Sequence, residues 1–323
     1  MSEKLSEIIK NLAKKIRRHP KSILTWFDDA GGLLFDEDYV LVKVDGFAAS
    51  RSNYPWCSYG DFGFKAVTAT VSDVYAKGCR PYVYAISIGV TPDKVDLVED
   101  IIRGIEEAVE LYGGYVENID TNIGMDLWVD VFVLALCKYA PIPRRIFVGD
   151  TIMILKKVGL TSIAYNEYVK GRIPRDVDVL STSCKPVAPL NIVDAINTIR
   201  PAIVGSIDIS DTVYESLEHI STLNDVGIYI NASASEFLHP KAVCYAYEEG
   251  IDMRNMFLSA SEEYTPILVV NKVYRDYVVD HLRYYGFEAQ AIGVATSFKG
   301  IRWRGEEIKR FVWNYELGRI IET

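Results

Sequence analysis

Along this chain, short apolar runs of the strand type alternate with stretches whose apolar residues recur at helical spacing, and the alternation continues through both halves. Leu5, Ile8, Ile9, Leu12 and Ile16 fall at helical intervals with lysines and arginines between them. That predicts a basic amphipathic helix, expected to dock on its own chain, although such helices also pair with partners or lie on membranes. Residues 39–44 read as a strand. Residues 48–61 mix Ser, Asn, Tyr, Pro and Gly without periodicity, which suits a surface loop able to close over a site.

Residues 62–77 are rich in Ala, Thr and Val and end at Gly78, a helix with a glycine stop. A strand over 81–90 leads to Thr91-Pro92, a hydroxyl cap followed by proline at the first helical position. Val98, Ile101, Ile102, Ile105, Val109 and Tyr112 then form one apolar stripe, closed by Gly113-Gly114. Strands follow over 115–119 and 126–137. Ala140-Pro141-Ile142-Pro143-Arg144-Arg145 marks a boundary, dividing the chain into domains 1–140 and 141–323.

Beyond it come a strand over 151–158 and a polar, proline-bearing stretch over 170–189. A helix over 191–198, an apolar run over 202–207, a helix through Leu217 and Ile220, and a strand over 227–231 follow. Helices over 240–249 and 271–285 flank a strand over 267–270. This order predicts an α/β or α+β architecture with mixed sheets.

Composition narrows the function. The 323 residues are 49% hydrophobic and 24% charged, enough for two globular domains with cores of their own. A net charge of −9 argues against a nucleic-acid binder but not against nucleotides, whose charge bound Mg²⁺ can offset. The longest apolar run, 129–137, is interrupted by Asp130, so no membrane span is expected. The first residues lack a secretory signal. The five cysteines are odd in number and widely spaced with no CxxC pair; the expectation is neither a disulfide framework nor a zinc site, and a reducing cytoplasm. Gln290 is the single glutamine, a composition that leans towards a thermophile.

Acidic residues punctuate the ends of the apolar runs: Asp28-Asp29, Asp45-Gly46, Ser72-Asp73, Asp120 and Asp208 to Asp211. Each alone is accounted for by a solvated turn, and Asp73 by the polar face of its helix. Brought together, such carboxylates resist ionising unless a cation neutralises them, and Mg²⁺ with a phosphate ligand is the usual one. GxxxxGK[ST], GxGxxG and GxSxG are all absent, and His19, His219, His239 and His281 have no zinc-site spacing. What remains is a set of aspartates suited to phosphoryl transfer, where the protein positions groups and offsets charge.

The order FDDAG, VDG, GFKAVTATVSDVYAKGCRP, NIDTN, VGDTI, IDISD and SEEY resembles the AIR synthase (PurM-like) superfamily, and within it the thiamine-monophosphate kinase family. The resemblance runs from Phe27 to about Trp313. It implies an N-terminal mixed sheet with helices that forms a homodimer, and a C-terminal α/β domain. It also implies ATP bound with several Mg²⁺ ions near the dimer interface, and thiamine monophosphate as phosphate acceptor. Matched position by position, it assigns metal binding to Asp29, Asp45, Asp73, Asp120, Asp208 and Asp211. The last two also match the catalytic turn. Ser210, Asp120 and Arg144 would contact ATP, with Arg145 a rival to Arg144. Ser52, Glu262 and Trp313 fall at substrate positions.

The family's GGDT is Asn118-Ile119-Asp120-Thr121 here, and its SDG is Ser210-Asp211-Thr212. Those lost glycines keep two further readings open. One is another ATP-using enzyme of the superfamily with a different acceptor. The other is a nucleotide-binding regulator without turnover.

Overall fold

The computed structural model describes residues 8, 9, 11–13, 15–314 and 317–323. Two sheets dominate. In the first, β1 (Gly31–Phe35), β2 (Asp38–Ala48), β3 (Cys79–Val90), β4 (Tyr115–Ile123) and β5 (Trp128–Cys137) lie in the order β1-β2-β5-β3-β4. All neighbours are antiparallel except β3 and β4. The second sheet uses β6 (Thr151–Ile154), β7 (Ile203–Asp208), β8 (Gly227–Ile230), β9 (Pro266–Val270), β10 (Gln290–Thr296), β11 (Ile301–Trp303) and β12 (Glu306–Glu307). Its order is β12-β11-β8-β10-β6-β9-β7, with β11 parallel to β8. A separate hairpin pairs β13 (Phe311–Asn314) with β14 (Arg319–Glu322). The mixed α/β architecture matches the sequence expectation.

Helix α1 (Tyr59–Ala76) joins the two sheets. Ser58 and Asp61 start it with a capping box. From Phe62 to Ala76 every residue is buried, because the helix packs against β2, β3 and β5 on one side and β7 and β9 on the other. Its Ala, Thr and Val content follows, since a helix covered all round carries small apolar residues rather than one stripe. Val71 and Tyr75 share a core with Val131 and Val133 of the first sheet and with Met153 and Leu268 of the second. Helix α2 (Val98–Tyr112) crosses α1 at backbone contact. A Cβ on Gly104 would stand 1.8 Å from the Gly60 carbonyl oxygen, and one on Gly63 would stand 2.3 Å from that of Ile101. Only glycine permits this approach.

The structure departs from the sequence reading in several places: β1, β10 to β14 and the helices over Leu160–Val169 and Met253–Leu258 were not expected. The polar stretch 170–189 contains helix α3 (Val177–Cys184), capped by the Asp176 carboxylate. Thr91 makes no side-chain cap, and a 3₁₀ turn over Pro92–Leu97 precedes α2. Of the predicted N-terminal stripe, Leu5 lies outside the described residues, while Ile8, Ile9, Leu12 and Ile16 are exposed rather than docked.

The cysteine expectation is overturned. Cys79 and Cys137 are opposite each other in the β3–β5 ladder with Cα atoms 4.3 Å apart, and they form a disulfide. Cys57 and Cys184 form a second, tying the loop before α1 to the end of α3; Cys244 is free. Separations of 58 and 127 residues hide both pairs from any reading of spacing. Disulfides do occur in the intracellular proteins of hyperthermophiles.

Thiol titration of the unreduced, denatured chain should therefore find one reactive thiol; five would contradict both bridges. Replacing Cys79 and Cys137 together by serine should cost about 4 kcal/mol on loop-entropy grounds, read as a lower denaturation midpoint.

Candidate active site

The acidic turns converge on the C-terminal half of α1. Asp29, in the loop before β1, Asp73, on α1, and Asp208, at the end of β7, are all buried, and each offers an oxygen within 4.8 Å of the other two. Asp73 is thus inside, not on a polar face.

Three cations are threaded among the acids. Lys77, the C-cap of α1, stands 2.6 Å from Asp28 and 2.5 Å from Asp29, and donates to the Ser206 carbonyl at 3.0 Å. Arg144 pairs with Asp29, donates to the Phe27 carbonyl at 2.9 Å, and receives Asp28 on its backbone N–H at 2.9 Å. Arg145 instead lies over the Phe147 ring, so Arg144 is the arginine at the acids. Lys43, on β2, is 2.6 Å from Asp73 and 3.2 Å from Asp45, its neighbour on the same strand face. Asp208 accepts from the Ser72 hydroxyl at 3.1 Å. Burial and the adjacent Asp208 push Asp73 well above the usual carboxylate range, against the pull of Lys43.

Asp28, Asp29, Asp45, Asp73 and Asp208 are five carboxylates facing three cations, two charges short of neutrality when all ionise. Asp29 Oδ2 and Asp73 Oδ2 are buried without a well-directed hydrogen bond, although ammonium groups stand beside them. A dense set of hard oxygen donors with spare lone pairs and surplus negative charge fits Mg²⁺.

Beside the acids opens a cleft of about 320 Å³. Asp45, Ser210 and Asp211 line its acidic end; Ser52, Glu262 and Trp313 line it too, with Phe47, Tyr54, Tyr165 and Tyr168. Two loops build its floor. The backbone of Glu262 donates to the Ser210 carbonyl and that of Tyr264 to Ile209, each at 2.8 Å. Glu262 and Tyr264 both adopt positive φ, 53° and 45°, a cost tolerated where surrounding structure imposes it. The imposing contacts are visible. Lys65 on α1, fully buried, bonds Glu262 at 2.7 Å and the Ser52 carbonyl at 2.5 Å. Glu263 points inward to the Gly159 N–H at 2.8 Å and the Thr161 hydroxyl at 2.7 Å. Of the expected loop over 48–61, Ala49–Ser52 is a helical turn and 59–61 begin α1, while the stretch between them walls the site: Tyr54 stacks on Trp56, whose indole N–H donates to Ser183 at 3.2 Å.

Gly46 is required here, because a Cβ would stand 2.3 Å from the Val129 carbonyl and from the Asp130 carboxylate. Asp120 is set apart. It lies on β4, exposed throughout, and accepts from Asn122 at 3.2 Å. With β5 and β3 between them, β4 is three strand spacings, about 14 Å, from β2. Sequence reasoning missed Lys43, Lys65, Lys77 and Glu215. Period two would have placed Lys43 beside Asp45; the others needed the fold.

The fold and this acid-lined cleft resemble those of AIR synthase-related proteins. Residues 27–137 match the model of the AIR synthase related protein, N-terminal domain. Over 92% of its length the chain is 28% identical to 96% of the thiamine-monophosphate kinase of Pyrobaculum calidifontis. A crystal structure of tt0281 from Thermus thermophilus superposes with a TM-score of 0.86 at 26% identity, covering 94% of this chain and 98% of that one. A structure described as AaThiL complexed with AMPPCP and TMP matches with a TM-score of 0.80 at 18% identity, covering 96% and 95%. The chain is thus similar throughout to thiamine-monophosphate kinases. Among the described residues no helix is long and apolar enough to cross a membrane.

Glu215, on helix α4 (Val213–Asn224), clamps the C-terminal hairpin to the site. It accepts from Trp313 N–H at 3.0 Å and from Thr212. Burial and the Asp211 charge push it up to about 7 from an ordinary 4.5. A raised carboxyl favours the fold while protonated, so this contribution is present below about 4.5 and is lost as pH rises to about 7. The loss is about 3 kcal/mol. Melting curves across that window should show the advantage of the native chain over Glu215→Gln shrinking as pH rises; a constant difference would refute the assignment.

Proposed function

We propose that this chain is a Mg²⁺-dependent phosphotransferase that uses ATP and thiamine monophosphate, giving ADP and thiamine diphosphate. The observation that carries the reading is the convergence of Asp29, Asp73 and Asp208 beside a cleft that Asp45 and Asp211 line at one end and aromatic side chains at the other. The names of the relatives support the substrates. Mg²⁺ held by Asp29, Asp73 and Asp208, with Asp45 and Asp211 at the rim, would offset the phosphate charge during transfer.

The residues do the rest by position. Ser210, at the turn before α4, faces the cleft next to Asp211 and suits a phosphate contact. Arg144 keeps Asp29 in place and supplies positive charge near the phosphates. Thiamine carries a cationic thiazolium ring, which the faces of Tyr54, Tyr165, Tyr168 and Trp313 and the Glu262 carboxylate suit. Asp208 and Asp211 come from one turn that is bonded to the Glu262 loop, so the donor and acceptor ends share a floor. That rigidity serves in-line transfer, which gains chiefly from orientation.

Assembly is part of the reading. The outer face of the first sheet exposes Val44, Phe132 and Leu136, which adjoin across β2 and β5, while Tyr115 and Ile123 are exposed on the edge strand β4. We propose a C₂ homodimer through this sheet. A metal role for Asp120, remote within one chain, then requires the partner. Light scattering at micromolar concentration should give twice the 36.4 kDa chain mass; a monomer would sink the dimer and with it the role of Asp120.

The decisive assay measures ADP release from Mg-ATP with and without thiamine monophosphate. Release should depend on the acceptor and stop in chelator; ATP binding with no turnover would favour the regulator. Asp208→Asn should weaken Mg-ATP binding at least tenfold, about 1.4 kcal/mol. Trp313→Ala should leave ATP affinity within about twofold while raising the acceptor KM. The division of the cleft fails if a folded Trp313→Ala loses ATP binding.

A further inference from the structure

We propose that Lys43 is a built-in cation of the phosphate site, its ammonium standing where Asp45 and Asp73 would otherwise need a further divalent ion. The proposal rests on reading the acidic cluster as a metal and phosphate site, and it concerns how many ions that site takes.

Four observations point to Lys43. Its Nζ is 2.6 Å from Asp73 and 3.2 Å from Asp45, so one positive charge bridges two carboxylates from different elements, as a bound ion does. The side chain is mostly buried, with 17% of its surface exposed, so its charge is poorly screened and cannot serve as a solvated decoration. Its position in β2 is two residues from Asp45, and period two puts both on the face turned to α1. Finally, Lys43 lines both the aromatic cleft and the adjoining hollow around Asp28, Asp29, Gly31 and Gly32. A polyphosphate reaching from one to the other passes the ammonium.

The remaining cations cannot do this work. Lys77 is committed to Asp28, Asp29 and the Ser206 carbonyl, and Arg144 to Asp29 and Phe27. Without Lys43, Asp45 and Asp73 would face each other and Asp208 with no positive charge of their own. Loss of the lysine should therefore create a vacancy that a divalent ion fills, whereas a lysine with a merely structural ion pair would leave no such vacancy.

The test counts Mn²⁺ bound to the nucleotide-free full-length chain by equilibrium dialysis with electron paramagnetic resonance. Lys43→Met should bind one more Mn²⁺ per chain than the native protein. Lys43→Met with Asp45→Asn, which removes one of the two acids, should bind no extra ion. Melting in chelator should fall for Lys43→Met and recover with Mn²⁺, while Lys43→Arg behaves like the native chain. An equal Mn²⁺ count in native and Lys43→Met protein overturns the proposal. So does a Lys43→Met chain that fails to fold with Mn²⁺ present, since the ion then does not replace the ammonium. Because no nucleotide or acceptor is used, absence of phosphotransfer would sink the proposed reaction without moving this count.

Discussion

Charge neutralisation inside a packed interior is the constraint on which this fold turns. Two carboxylates a few ångströms apart repel strongly when water is excluded, and removing one member of a buried pair costs about 3–5 kcal/mol. Here the acids arrive from the loop before β1, from β2, from α1 and from β7, so the repulsion acts between both halves of the chain. Lys77 is the keystone of the arrangement. As the C-cap of α1 it sits where the helix dipole favours a cation, and its ammonium reaches two aspartates of one half and a β7 carbonyl of the other.

A second constraint links the two ends of the cleft. The turn over 208–212 and the loop over 261–265 bond backbone to backbone, so neither moves alone. Positive φ at Glu262 and Tyr264 is held in place by buried charges, Lys65 on one side and Glu263 on the other. The C-terminal hairpin joins through Glu215 and through Thr212, whose hydroxyl also donates to the Phe311 carbonyl at 2.5 Å. Trp313 therefore reaches the cleft from an element anchored beside Asp211.

Much of this was legible in the chain. The strands from β2 to β9 and the long helices α1 and α2 announced themselves by periodicity, whereas β1 and the strands after Tyr285 did not; the aspartates that converge were those at the ends of apolar runs. Arg144 was legible and Lys43 could have been, but Lys65 and Lys77 were not, because they look like ordinary helix residues until the helix is known to be covered on every side. The disulfides were hidden for a related reason: Cys79 and Cys137 meet through strand register, which no spacing encodes. Helix α3 was missed because its eight residues carry Asp and two serines and its apolar side is short. Asp120 reads like the other acids in sequence, yet strand order sends it to the opposite edge of the sheet.

The lost glycines weigh differently once the fold is known. Asn118 and Ile119 continue β4 as a regular exposed strand, with the ladder irregularity falling between Val116 and Asn118, and they are not part of the Asp29, Asp73 and Asp208 group. Their side chains intrude on nothing at the acids. Thr212, where a glycine would follow Ser210-Asp211, adopts φ −83° and caps α4 in a reciprocal box with Glu215. The turn thus needs no left-handed residue, and the substitution fixes the entry of the helix that carries Glu215. The residue that bears on the acidic cluster directly is Lys43, whose ammonium stands between Asp45 and Asp73.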